Sequence, residues 1–243
     1  RSTMFSPAFH TSLKDPAKTY RPIPFWSWNE ALDTLETERQ IAEMDRVGLG
    51  GYFMHARGGL QTPYMEEDWM ANIQTGIDAG RDRAMGAWAY DENGWPSGFG
   101  NGKINGKGLR YQQKYLRWED VAGMEERRDN VITCVSLADG RHLRFYFDVN
   151  PFYVDTLDAQ VTAEFLAEIY DPYAERFARD LGGAMPGFFT DEPQISRNGI
   201  PWSYVLPKAY IDAYGEDLLP LLPCLFFEEG PWQRTRYRFW FLV

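Results

Sequence analysis

Two adjacent acid pairs, Asp91-Glu92 and Asp191-Glu192, are the residues in this chain best suited to chemistry. Each closes a short apolar run: Ala87-Trp88-Ala89-Tyr90 before the first, Gly187-Phe188-Phe189-Thr190 before the second, where Pro193 then ends the pairing. Acids delivered to the end of a buried strand can act as general acid and base, because burial among aromatics raises a carboxyl pKa until the group keeps its proton near neutrality. Taken alone, Asp191-Glu192 reads more readily as a solvated turn after a core strand, and Asp91-Glu92 equally well as a structural pair that caps or meets Arg57. Two further strand ends shift the balance: Trp28-Asn29 after Pro24-Phe25-Trp26-Ser27, and His55 with Arg57 at the end of Tyr52-Phe53-Met54.

The elements that must hold these groups alternate. Asp33 can cap a helix that places Leu35, Ile41, Met44 and Val47 on one side, and Gly48, Gly50 and Gly51 end it. A second helix, from about Glu66 to Met85, carries Trp69, Ile73 and Ile77 at four-residue steps, and Gly86 closes it. Strand, helix, strand, helix, strand with short links predicts a parallel sheet, since parallel neighbours need a crossover. The rhythm then breaks. Residues 101–150 read as a small β insertion, with Ala138-Asp139-Gly140 turning a hairpin between Val131–Val135 and His142–Phe147. A helix resumes at Asp155-Thr156, with Val161, Phe165 and Ile169 in line and Pro172 expected to break or kink it. After the fourth strand, Leu206–Tyr214 and Arg234–Val243 look helical. Residues 1–21 lack periodicity and read as an N-terminal arm over the domain.

The expected fold is therefore α/β, a partial (β/α)8 barrel of about four units over residues 22–243. In such a barrel the four polar strand ends converge on one mouth. A complete barrel takes about 250 residues, and here the arm and insertion use up much of the 243. The last residues stop within a helical pattern, so the chain is expected to be part of a longer barrel, or a half that self-associates or pairs with a missing half.

Composition narrows the partners. A formal net charge of -10 argues against nucleic acid, whose phosphates need clustered Lys and Arg. No apolar run approaches the roughly 18–20 residues that span a bilayer, and Arg1–Met4 does not resemble the start of a signal peptide. Cys134 and Cys224 lie far apart without metal-type spacing, as expected of structural thiols in a reducing, cytoplasmic setting. Aromatic residues reach 16%, with 9 Trp, and Trp95 and Trp202 are candidates to stack on sugar rings as well as to pack a lid.

The segments Pro24–Asn29, Gly51–Leu60 with Thr62-Pro63-Tyr64, Tyr90–Gly98 and Gly187–Gln194, together with Asp148–Pro151 and Val154-Asp155, resemble the barrel of bacterial glycoside hydrolases. They look like the α-L-rhamnosidase-type enzymes of family one hundred and six and related family-two-like proteins. The resemblance implies that Glu192 is the general acid; the alternative reading makes it a supporting acid beside a functional Asp191. It further implies that Asp91 and Glu92 hold a sugar-binding position and that His55 and Arg57 line the ligand mouth, which Trp28 and Asn29 at the first strand end and Trp95 on the loop are expected to share. Such families place the second catalytic carboxylate on later strands, so this chain alone is expected to have little or no activity.

Three classes stay open at this point: a glycosidase, a metal-dependent hydrolase on the same barrel, and a carbohydrate-binding or degenerate barrel without turnover. No cofactor and no metal ligand set is implied, though a calcium ion held by scattered carboxylate oxygens stays open. The three His show no ligand spacing.

Overall fold

The computed structural model describes residues 5–122 and 129–243. In chain order it has α1 (Pro7–Lys14), β1 (Phe25–Trp28), α2 (Thr34–Arg46), β2 (Gly51–Ala56), α3 (Glu67–Asp82), β3 (Gly86–Tyr90), β4 (Gln112–Asp120), β5 (Val131–Ser136), β6 (His142–Val154), α4 (Ala159–Arg176), β7 (Phe188–Phe189), β8 (Pro201–Trp202), α5 (Leu206–Tyr214), α6 (Pro223–Phe226) and α7 (Trp232–Leu242). The fold is mixed α/β with two four-stranded sheets, one of them parallel. The chain divides into two compact units. One runs up to Asn101 and takes in Leu166–Glu192; the other comprises Gly102–Phe165 and Pro193–Val243.

The first unit holds the parallel sheet, in the order β1-β2-β3-β7. Asp33 caps α2 as its sequence suggests, its carboxylate accepting from the Glu36 N–H at 2.9 Å. The buried side of α2 is narrower than the apolar pattern implies: Thr37 and Ile41 are buried, whereas Leu35 and Val47 are exposed. The reason is the partner. α2 meets α3 through Thr37, whose hydroxyl donates to Asn72 at 2.9 Å, so only the stripe around that contact is covered. α3 buries Trp69, Ile73 and Ile77 completely. It approaches β2 so closely that a Cβ on Gly76 would lie 2.4 Å from the Met54 sulfur, and the Tyr52 hydroxyl donates to the Gly76 carbonyl at 2.6 Å.

One expectation for this unit is narrowed and another needs correction. Pro172 lies inside α4 without ending it; Ile169, Tyr173 and Phe177 are buried on both sides of the proline, and that packing outweighs one missing N–H. The fourth strand is also slighter than its apolar run suggests. β7 is two residues long, half-buried, and pairs only with β3. Residues 7–14 of the expected arm form α1, with Ser6 capping it and no residue buried.

Side chains alternate across the parallel sheet. Tyr52, Met54 and Trp28 face the helices. Phe25, Phe53, His55, Trp88, Tyr90 and Phe189 share the other face, with Phe25 5.0 Å from Phe53 and 4.9 Å from Phe189 between ring centroids. Phe25 remains 51% exposed. Parallel sheets are ordinarily covered on both faces, so a half-open aromatic face is unusual for one.

The second unit is built on an antiparallel sheet, β5-β6-β4-β8. The hairpin read at Ala138–Gly140 joins β5 to β6, with Gly140 at φ 89. β6 continues through Asp148–Pro151. Leu116, Leu143, Phe145 and Phe147 form one core with Leu206, Tyr210, Leu222 and Phe239. The helices after the fourth strand thus pack on the antiparallel sheet instead of completing a fourth strand–helix unit. Lys114 is buried here, donating to the Gln112 carbonyl at 2.7 Å and paired with Asp155 at 3.5 Å. Cys134 and Cys224 are free thiols. Among the described residues no helix is long and apolar enough to cross a membrane.

Candidate functional site

The polar ends of the parallel strands are joined by a hydrogen-bond network within the first unit. Tyr90, the last residue of β3, donates its hydroxyl to Asp191 at 2.5 Å. Its ring lies 3.6 Å from that of His55, the planes 30° apart, and Phe25 meets the same imidazole edge-on at 5.6 Å. Asp91 is fully buried and accepts from the Tyr170 hydroxyl of α4 at 2.7 Å and from the Ser97 hydroxyl at 2.5 Å. Ser97 also holds Asp191: its Oγ accepts the Asp191 N–H at 2.8 Å, and its own N–H donates to the Asp191 carbonyl at 2.9 Å.

His55 is 5% exposed, and neither ring nitrogen has a hydrogen-bond partner among the described residues. Burial pushes its pKa down to about 4, the Arg57 guanidinium adds to the fall, and the Asp191 carboxylate opposes it. Near neutral pH the ring is uncharged, one nitrogen a donor and the other an acceptor. The Tyr90 hydroxyl is pushed well above its ordinary range, by burial first and then by its bond to Asp191.

Glu92 behaves differently. It is fully buried, and five backbone N–H groups converge on it. Asn93 (2.9 Å) and Asn101 (2.6 Å) donate to one oxygen; Gly98 (3.2 Å), Phe99 (3.0 Å) and Gly100 (2.7 Å) donate to the other. Burial pushes the Glu92 carboxyl up while these donors pull it down. All its acceptor capacity goes to its own loop, so it faces backbone and not a ligand. Trp28 is likewise turned away from the aromatic face: it is 2% exposed and packs against Trp69 of α3 at 5.2 Å.

The remaining candidates lie open. Asn29, Arg57 and Glu192 are exposed, and Trp95 and Asp191 are half-buried. The expectation that Glu192 is buried among aromatics does not hold, because the edge strand before it is two residues long. Glu192 instead sits at φ 46, in the left-handed region that a residue with a Cβ rarely occupies. Of the groups expected at one mouth, His55 and Asp191 are brought together through Tyr90, and Asp91 joins them through Ser97. Glu92 and Trp28 do not join them.

Two cavities lie elsewhere in the first unit. One of about 500 Å³ opens at the starts of the strands, lined by Gly50, Gly86, Trp88 and Pro186 with Lys18 and Arg81. These cations are already paired, Lys18 with Asp45 and Arg81 with Asp78 and Asp180. A smaller one of about 160 Å³ runs beside β1 and includes Trp26, Trp28, Asn29 and Glu36. Neither contains His55, Tyr90 or Asp191 in its lining. Among the described residues no group of three or more His, Cys, Asp or Glu is arranged to hold a metal ion.

No family model matches the chain. No curated protein matches it either. Among solved structures it is similar to a rhamnosidase from Novosphingobium sp. PP1Y, at 21% identity and a TM-score of 0.38, over 54% of this chain and 13% of that one. The chain spans a small part of that protein's length, and at this identity and TM-score the likeness carries nothing about activity.

Tyr90, Ser97 and Tyr170 are the network members that motif reading passes over. Tyr90 had a signal: it alternates with Trp88, and the pairing Met54↔Ala89 sets it one step on, beside His55. Ser97 and Tyr170 had none, because their contacts with Asp91 and Asp191 span 6 to 94 residues of sequence.

Proposed function

We propose that the polar rim of the parallel sheet is a carbohydrate site of the glycoside hydrolase type, on four strands of a (β/α)8-like barrel. The observation that carries the reading is the grouping of Asp191, Tyr90 and an uncharged, unpartnered His55 at the end of an aromatic sheet face. Sugars present apolar ring faces edged with hydroxyls. Aromatic rings suit the former, and a carboxylate beside a neutral imidazole suits the latter. Glu192, exposed and adjacent, is the proposed proton donor to the glycosidic oxygen. Asp191 is proposed to bind sugar hydroxyls as a carboxylate, with Arg57, Asn29 and Trp95 around it. A glycosidase needs a second catalytic carboxylate, which on this reading comes from strands beyond these four. Strained backbone at Glu192 favours a functional residue there, since such strain gathers at active sites.

A second reading, binding without turnover, draws on the fate of Asp91 and Glu92, whose carboxylates are taken up by Ser97, Tyr170 and the loop backbone. Calorimetry with a monosaccharide panel that includes L-rhamnose, run beside an aryl glycoside assay, separates the two. Binding of one sugar, weakened in His55→Ala, is expected, with turnover low or undetectable. Turnover abolished in Glu192→Gln would make this chain sufficient as a catalyst. A panel in which no sugar binds sinks both readings.

A further inference from the structure

The end of β7 has little sheet to hold it. The strand is two residues long, and its ladder to β3 ends at the Asp91 N–H, which donates to the Phe189 carbonyl at 3.2 Å. Beyond that point Asp191 is fixed by two residues of the β3 side, Tyr90 and Ser97. Ser97 makes a paired contact to the Asp191 backbone, N–H to carbonyl at 2.9 Å and N–H to hydroxyl at 2.8 Å, while its hydroxyl proton goes to Asp91. Ser97 is 1% exposed, so water does not compete for these bonds.

Ser97 in turn rides on the loop that Glu92 gathers. The loop leaves β3 at Asp91, travels out through Asn93, Gly94 and Trp95, and returns through Gly98, Phe99, Gly100 and Asn101. Both limbs are tied to the one carboxylate. Gly94, Gly98 and Gly100 take φ values of 123, 132 and 57, which let the N–H groups turn inward. We propose that Glu92 and Ser97 are positioning residues: Glu92 shapes the 93–101 loop, and Ser97, carried on it, sets where Asp191 stands at the sheet end. Trp95 is placed by the same loop. In this account the acid pair after β3 serves the acid pair after β7 and does not touch the sugar. Where it concerns sugar affinity the proposal rests on the function proposed above; where it concerns the position of Asp191 it does not.

The test uses the full chain and amide hydrogen exchange read residue by residue by NMR. Ser97→Ala is expected to speed exchange of the Asp191 N–H at least about tenfold, leaving the β2 amides unchanged, and Ser97→Thr, which keeps the hydroxyl, to restore it. Glu92→Gln is expected to speed the Asn93 and Asn101 amides, which lose their acceptor, together with Asp191. For a monosaccharide that binds the unaltered chain, Ser97→Ala should weaken affinity about tenfold when measured well below the variant's own Tm, with Thr rescuing it. If Asp191 exchange is unchanged in Ser97→Ala, the proposal is overturned. If exchange responds but no sugar binds the unaltered chain, the positioning stands and the carbohydrate reading falls. Should Glu92→Gln fail to fold, the two Ser97 variants decide.

Discussion

Asp91-Glu92 and Asp191-Glu192 are the same dipeptide at the ends of neighbouring parallel strands, yet they meet opposite environments. After β3, an inner strand, both side chains are fully buried and hydrogen-bonded. After β7, an edge strand of two residues, Asp191 is half-buried and Glu192 is exposed at a strained φ. The difference comes from the residues that come next in the chain. A glycine-rich loop can fold its N–H groups onto a carboxylate, whereas a proline offers no N–H at all. The segment that follows each strand thus decides which acid is taken up as scaffold and which stays exposed.

The sharpest way to break this comparison is Glu92→Gln. An amide keeps one acceptor oxygen, so in its better orientation it still leaves two of the five N–H donors facing an NH2 group. Each buried donor left unsatisfied costs about 1–3 kcal/mol, so the expected loss of stability is on the order of 3 kcal/mol in urea unfolding. The equivalent change at Glu192 should fall within about 0.5 kcal/mol of zero, as for other exposed sites. Equal losses at the two positions would erase the distinction.

The same contrast explains which features were legible in the sequence. The strand–helix alternation was, because buried parallel strands are apolar runs set between glycine-ended helices, and the Asp33 cap and the Ala138–Gly140 turn use local chemistry. The role of Glu92 was not, since a glutamate after a strand looks alike whether it faces a ligand or its own loop. A clue lay in the density of glycine from Gly94 to Gly102, which reads as flexibility but here supplies inward N–H groups. The apolar stripe of α5 shows that one face is buried without saying against which sheet, and so pattern alone assigns the helix to the wrong one. Leu35 fails similarly: periodicity marks a face, while the width actually covered depends on the neighbouring helix.

An effect of similar size, read in pH, should come from His55, and it sharpens the comparison by testing the ligand side alone. Its pKa falls from 6.5 in the open chain to about 4 in the fold, so between those values the unfolded chain binds the extra proton. Stability from this group is therefore full above pH 6.5 and is lost as the pH falls toward 4. The groups facing the ring are Arg57, Asp191, Tyr90 and Phe25. His55→Phe keeps the stack on Tyr90 and removes the titration. Its stability curve from pH 7 to about 4 should be flatter than that of the unaltered chain. Parallel curves would mean that the imidazole is already satisfied in the folded state, and its claim to a ligand would go.

The smallest expected effect is the most specific, because its sign is unusual. Glu192 carries a Cβ in the left-handed region, which costs about 1–2 kcal/mol. Glu192→Gly removes that strain, and the greater freedom of glycine in the unfolded chain returns about 0.4–1 kcal/mol of the gain. A net stabilisation of about 0.5 kcal/mol is expected, together with loss of whatever turnover or proton donation the side chain supports. A residue kept at a conformation that glycine would hold more cheaply is retained for its side chain, not for the fold. Destabilisation by about 1 kcal/mol or more would show that the Glu192 carboxylate is itself holding structure. The two acid pairs would then be alike, and the sheet end would have lost its free acid.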